Sequence, residues 1–388
     1  MENKKYSLLI IALYCYAGHI KGIVNHLKSK NPLVDVTLLT DNPEEMKQLL
    51  DDKSVKIVSY NVSPVKCKYR RLRFWLIKYK QIRFFSNFSK DKKYDIVNVH
   101  FPNIYMSYVY KYLRRMSKKI VISPWGSDIL RHDNKYLNHL AVLYENADYI
   151  TTTSNSILGK KIIDVFTIDQ KKMMSGFFGS DIVDFAIKYG DSISQEDAKQ
   201  RYGLVGRYVI TCGYNQRRQQ RHKEIIVAIS KVKNQLPQNL TLLFPMSYGK
   251  TQNETDLDEC KILCREYGLD ALFITDFLKV NDLYMLRKAT DMFVHVQTTD
   301  ASSASVWEYI LCDKKIVHGS WVKYEALEAF KPLFYFPVDR MEDLGEVIVN
   351  AYNSDKIEIP QGVLDIVKQR SWDYRSTLMN DFFMSIVS

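Results

Sequence analysis

The chain has 388 residues, 46% of them hydrophobic and 26% charged, with a net charge of +11. Its length exceeds what one hydrophobic core usually supports, so two globular domains are expected. Six scattered cysteines in a chain of this size exclude a disulfide framework and point to a reduced, cytoplasmic protein. Cys260 and Cys264 lie one helical turn apart, but no second pair and no spaced histidines accompany them, so no metal site is expected.

From the N-terminus, "MENKKYSLLIIALYCYAG" imitates a secretion leader, with lysines ahead of an apolar stretch. It reads better as a first parallel strand buried on both faces, because Gly18 and a helix-like "HIKGIVNHLKS" follow at once. Short apolar, β-branched runs then alternate with helical patterns: "VDVTLLT", "VKIVSY", "YDIVNVHF", "KIVISPW" and "DYITTTS", followed by "YVITCGY", "NLTLLFPM", "ALFITDF", "MFVHV", "KIVHG" and "LFYFP". Such alternation predicts parallel sheets with helices on both faces, and two series predict two doubly wound, Rossmann-like α/β domains. The join is expected near Phe177 to Ser192, giving domains 1–182 and 183–370. Residues 371–388 are expected to form a C-terminal helix, anchored by Trp372 and Phe382, that crosses back to the first domain or packs on the second. No stretch beyond the first approaches the ~18–20 apolar residues that span a membrane.

Between Lys66 and Lys93, "KCKYRRLRFWLIKYKQIRFFSNFSKDKK" holds eleven Lys and Arg against one acid, Asp91, so nearly all of the net charge sits there. Leu72, Trp75, Leu76, Tyr79 and Ile82 share one side of a helical wheel, yet Arg83 falls among them and Phe74, Ile77 and Phe84 lie elsewhere. An interfacial helix on an anionic membrane surface is the favoured reading; a solvated face packed on the first domain and a nucleic-acid contact are the alternatives.

Ligands of open parallel sheets bind beyond the carboxyl ends of the strands, so loops from two such domains are expected to line a central cleft. After the first strand of the second half comes "CGYNQRRQQRHKEII", where Arg217, Arg218, Arg221, His222 and Lys223 suit a diphosphate at a helix N-terminus. A solvated charge run is the bland reading. After "DMFVHV" comes "TTDASSASVWEYIL": Ser302 and Ser303 are natural N-caps, Glu308 is placed to accept ribose hydroxyls, and Asp300 stands near whatever the diphosphate carries. Two solvated acids are the alternative there.

These residues resemble the GT-B glycosyltransferases, especially the retaining family 4 type, whose second domain carries two Glu separated by seven residues; here Asp300 replaces the first. "PWGSDIL", "ADYITTTSNSI" and "FFGSD" look like further segments of that family. "CGYNQRRQQRHKEIIVAI" with "LLFPMSYG", which includes Tyr248, is similar to bacterial transferases acting on lipid-linked sugars, including the 4-acetamido-4,6-dideoxygalactose transferase type. In this family the basic pair is usually Arg then Lys followed by a Gly, which is absent here. The resemblance implies a GT-B fold and a hexosyl transfer from a nucleotide-diphosphate sugar, with no permanently bound cofactor, to a lipid-linked or glycan acceptor. It also implies backbone approach at Gly18 and His19, a sugar contact from His100, and Asp128 as acceptor contact or base. A structural role for His100 and an N-cap role for Asp128 stand beside these.

Leaving-group charge on a β-phosphate is met by Arg, Lys and helix N–H groups without a metal, and no Asp-x-Asp pair suited to a metal-diphosphate bridge is present. The expected function is therefore metal-independent sugar transfer in bacterial surface-glycan assembly, peripheral on the inner face of the cell membrane, with no nucleic-acid partner. A nucleotide-sugar epimerase or phosphorylase of the same fold and a noncatalytic lipid- or nucleic-acid-binding protein are the competing readings.

Overall fold

The computed structural model describes residues 5–62, 65–249, 256–331, 333–355 and 357–387. Met1–Lys4, whose lysine contributes to the leader-like pattern, lie outside them. The chain divides into two units, Met1–Gly179 with Trp372–Ser388, and Ser180–Ser371.

The first unit is built on six parallel strands: β1 (Ser7–Ala12), β2 (Asp35–Thr40), β3 (Lys56–Ser59), β4 (Tyr94–His100), β5 (Ser117–Ser123) and β6 (Tyr149–Ile150), in the order β3-β2-β1-β4-β5-β6. From Leu8 to Ala12 β1 is wholly buried, the pattern of a strand covered by helices on both faces. Helix Ala17–Lys30 buries Ile20, Ile23, Val24 and Leu27, at the spacing of one helical stripe. Helix Trp372–Ile386 belongs to this unit. Its Trp372 ring stacks on His26 at 5.0 Å and lies so close to Gly22 that a Cβ there would stand 2.2 Å away. Phe382 packs on Tyr149 and Phe177.

Helix Arg70–Phe88 packs on this unit by one side only. Phe74 meets Tyr105 and Tyr108, Lys78 lies 3.8 Å over the Tyr108 ring, and Phe84 meets Tyr60, while Phe85 is fully buried. The other side leaves Leu72, Trp75, Leu76 and Tyr79 exposed by 51, 60, 38 and 62%.

The second unit repeats the plan with β7 (Tyr208–Cys212), β8 (Leu240–Pro245), β9 (Ala271–Ile274), β10 (Met292–His295), β11 (Lys315–Gly319) and β12 (Tyr335–Val338), ordered β12-β11-β10-β7-β8-β9. Numbered from its own first strand this is the same order, so each predicted apolar run is a strand and the two sheets share one doubly wound topology. The Ser180 side chain caps helix Asp181–Tyr189, which starts the unit. Cys260 and Cys264 sit buried in the apolar core of this unit, and among the described residues no cluster of His, Cys, Asp and Glu is arranged to hold a metal. No described helix is long and apolar enough to cross a membrane.

Candidate active site

In a doubly wound sheet the strand order reverses between the first and fourth strands, and the loops leaving them diverge to open a crevice. In the second unit these are β7 and β10. The Gly213 N–H donates to Val294 O at 3.0 Å and the Thr298 N–H to Gln219 O at 3.1 Å. Gln220 Nε2 and the Tyr214 hydroxyl both donate to Gln297 Oε1, at 2.8 and 3.2 Å. The basic turn after β7 and the acidic loop after β10 are thus laced into one structure.

Within the basic turn, Arg217 and Arg218 are exposed. Arg221 adopts a left-handed φ of 58° and sets its guanidinium 5.0 Å from the Trp321 ring centre; Trp321 Nε1 in turn donates to Gln297 O at 2.7 Å. Lys223 pairs with Glu259 at 2.5 Å, and Arg218 lies 3.6 Å from Asp256. His222 is not part of the charged face. It is buried, burial pushes its pKa down to about 4, and neither ring nitrogen is hydrogen-bonded among the described residues. Tyr248 is exposed, with its carbonyl accepting from the Gln216 N–H at 2.8 Å. The next residue, Gly249, has φ 90° and leaves 3.0 Å between a would-be Cβ and Arg217 Cγ, so only glycine fits this approach.

In the loop after β10, Asp300 Oδ2 accepts from the Ser303 N–H at 2.8 Å and from the Tyr324 hydroxyl. Burial raises its pKa, against those two hydrogen bonds. Ser303 occupies the N-cap of helix Ala304–Leu311, but its side chain makes no capping bond among the described residues; its own N–H is taken by Asp300. Ser302 accepts from Trp307 Nε1 at 3.1 Å instead of capping. Glu308 is buried: Oε1 accepts from Ser180 Oγ at 2.9 Å and Oε2 from Arg287 Nε at 3.2 Å. One lone pair remains on each oxygen.

In the first unit the corresponding loops follow β1 and β4. Gly18 and the exposed His19 lie in the first turn of helix Ala17–Lys30, where the His19 ring meets Tyr16, Trp125 and Phe178 edge-on within 5.6 Å. His100 is buried, and burial lowers its pKa to about 3. Asn98 uses its amide hydrogens on Val121 O and Ser123 Oγ, so its Oδ1 accepts from His100 Nε2 at 2.7 Å; His100 Nδ1 then accepts from Trp125 Nε1 at 3.3 Å. The ring is therefore neutral, with both nitrogens engaged, and it fixes Trp125. Asp128 is not an N-cap: Gly126 holds that place, and Asp128 Oδ1 accepts from the Trp125 N–H at 2.9 Å. Among the described residues its Oδ2 is buried without a hydrogen-bond partner, and burial pushes the pKa up to about 7.

Comparison with known proteins matches this architecture. A family model described as glycosyl transferase 4-like matches residues 11–154, most of the first unit. Its fold is that of the GT-B glycosyltransferases. Solved structures similar to this chain include Anabaena HepE, in complex with UDP and glucose, with a TM-score of 0.70 at 15% identity over 98% of this chain and 100% of that one. A glycosyltransferase from Rickettsia africae superposes with a TM-score of 0.70 at 13% identity, covering 99% of each chain. The lipopolysaccharide outer core galactosyltransferase WaaB, in its apo form, gives 0.66 at 13% identity over 98% and 99%. No curated protein matches.

Sequence reasoning missed the residues that hold the second unit's loops in place. Arg287 extends from helix Val280–Ala289 to Glu308, to Tyr309 Oη at 2.9 Å and to Ser305 Oγ at 3.2 Å, three points on one short helix. A planar fork of this kind orients that helix as a single hydrogen bond would not. Its sequence signal is an unremarkable Arg in "LYMLRKAT". Tyr324, His295 and His318 around Asp300 were also missed; the two histidines do hold the same place, last but one, in the runs "MFVHV" and "KIVHG".

Proposed function

We propose that this transferase moves a sugar from a nucleoside-diphosphate sugar to a hydroxyl of a lipid-linked or polysaccharide acceptor in surface-glycan assembly, without a metal, at the inner face of the cell membrane. The observation that carries the reading is the lacing of the Arg217–Lys223 turn to the Gln297–Ser303 loop, which gathers cations and a side-chain-uncapped helix start at one strand-order reversal. Negative charge grows on the β-phosphate as the glycosidic bond breaks, and fixed guanidinium and N–H groups lower the barrier by meeting it there. In this reading Arg217, Arg218 and Arg221, with the start of helix Ala304–Leu311, hold the diphosphate beside Tyr248. His222 and Lys223 shape the turn, Glu308 orients the ribose with its remaining lone pairs, and Asp300 faces the transferred sugar. Asp128 accepts the proton of the incoming hydroxyl, since a base works best with a pKa near the working pH. His100 supports that site through Trp125, beside Gly18 and His19. HepE solved with UDP-glucose and WaaG, a glycosyltransferase involved in lipopolysaccharide biosynthesis, support this choice of donor and acceptor class.

The membrane assignment rests on helix Arg70–Phe88. Leu72, Trp75, Leu76 and Tyr79 form an exposed stripe flanked by the exposed Arg70, Arg71, Arg73 and Arg83. Exposed leucines gain nothing from nucleic acid, whereas an anionic bilayer accepts the apolar stripe and attracts each cation by about 1 kcal/mol.

The test is transfer from a panel of radiolabelled nucleotide sugars to bacterial lipid extract, with EDTA present. Label passing into lipid or polymer supports the proposal. Isomerised donor without transfer would establish an epimerase instead, and no turnover of any donor would favour a binding protein.

A further inference from the structure

Behind Asp300 lie two buried histidines that the mechanism above does not use. His295 ends β10 and His318 is the last residue but one of the neighbouring β11, and the strand register pairs them directly. Their rings stack at 4.8 Å and their Nδ1 atoms approach to 2.9 Å. We propose that His318 and His295 are positioning residues that keep one proton on the Asp300–His295 pair, so that Asp300 meets the donor as an uncharged hydrogen-bonding group.

The proton count follows from the partners. His318 Nε2 lies 2.6 Å from Val322 O, which only accepts, so Nε2 carries a hydrogen. One proton lies between the two Nδ1 atoms. Placing it on His318 would make that ring a cation with no exposed surface, whereas placing it on His295 leaves both rings neutral. His295 Nδ1 is therefore the donor and His318 Nδ1 the acceptor. This fixes the other side of His295: its Nε2, buried and without a hydrogen-bond partner among the described residues, turns a lone pair toward Asp300 Oδ2 at 3.5 Å. A lone pair facing an ionised carboxylate in a buried place is two acceptors opposed, and a proton held by the pair removes the conflict.

The surroundings agree. Tyr214 stacks on His295, Tyr324 leans on both histidines, Tyr335 lies against His318, and Glu328 acts on His318 from a distance. Among the described residues, no Lys or Arg forms an ion pair with Asp300. Burial raises the pKa of Asp300 and lowers those of both histidines, each toward its uncharged form. The Asp300 side chain remains 13% exposed, enough to reach a ligand at the loop surface. A carboxylate there would repel the diphosphate that the neighbouring arginines attract; a neutral carboxyl does not.

That Asp300 faces the donor rests on the function proposed above, but the proton can be read without any ligand. In the full chain with ¹⁵N-labelled histidine, NMR at pH 7 should show His295 protonated at Nδ1 and His318 protonated only at Nε2. Difference infrared spectra against Asp300→Asn should contain a carboxylic-acid C=O band, which His318→Gln abolishes by freeing His295 to change tautomer. A doubly protonated His295 ring would place the proton on nitrogen, leave Asp300 ionised and overturn the proposal. A bare Nδ1 on His295, or an ionised Asp300 facing a neutral His295, overturns it. The wild-type spectra decide the matter if a variant fails to fold. With UDP as the probe, affinity should fall about tenfold per pH unit once the pair loses its proton. Intact proton signatures with no UDP binding at any pH would defeat only the donor assignment.

Discussion

Asp128 and Glu308 are both buried carboxylates at strand-end sites, yet their surroundings set them opposite tasks. Among the described residues Asp128 has one oxygen on a backbone N–H and one without a partner, and burial, opposed by backbone hydrogen bonds, pushes its pKa from 3.8 to about 7. Between these values the folded chain keeps a proton that the unfolded chain has lost. The stabilising contribution is thus complete below pH 3.8 and is lost as pH rises through about 7. Asp128→Asn, which can still accept from the Trp125 N–H, should therefore match the wild type in urea unfolding near pH 4 and exceed it at pH 8, by up to about 4 kcal/mol. It should also abolish transfer at all pH values. Glu308 instead answers the buried charge of Arg287. Glu308→Ala leaves that guanidinium unpaired and should reduce stability by about 3–5 kcal/mol. A loss of donor binding in that variant would accordingly report unfolding as much as ribose contact, and Arg221→Ala is the cleaner probe of the donor site.

Helix Arg70–Phe88 shows why its amphipathicity reads as ragged in the sequence: it has two apolar sides, not one. Phe74, Phe84 and Phe85 serve the protein, while Leu72, Trp75, Leu76 and Tyr79 face outward. Ile82, grouped with the outward stripe by its wheel position, is half-buried, so the stripe ends one turn earlier. Replacing Leu72, Trp75 and Tyr79 with serine should leave the melting temperature nearly unchanged, since exposed substitutions usually lie within about ±0.5 kcal/mol. Sedimentation with anionic vesicles should fall at least about tenfold, with the residual binding erased by salt. The C-terminal helix behaves in the opposite way. Trp372 is buried against Gly22 and Gly179, so Trp372→Ala should cost about 3–5 kcal/mol in urea unfolding.

At the scale of the whole chain, two sheets of one topology explain how much was legible. Strands buried on both faces must be almost wholly apolar, and the partly covered edge strands β3 and β9 still carry short apolar runs, so all twelve stand out in the sequence, and the sites at their carboxyl ends follow from the winding rule. The basic turn and the Asp300 loop could be found in this way. Their wiring could not. Arg287 reaches Glu308 from a different helix, and His295 meets His318 only through the register of β10 with β11, relations that a linear pattern does not carry. The same holds for His100 and Ser303, whose polar atoms suggested ligand contact until Asn98, Trp125 and Asp300 were seen to engage them.

The central claim, a diphosphate held by arginines and helix N–H groups without a metal, is tested most directly by calorimetric titration of the purified chain with UDP, GDP, dTDP and CMP, in EDTA and again with magnesium. One nucleoside diphosphate should bind equally in both buffers, and Arg221→Ala should weaken it by at least about tenfold, the worth of one charge-assisted hydrogen bond. Binding that requires magnesium, or no binding of any nucleotide by a folded chain, would contradict the account.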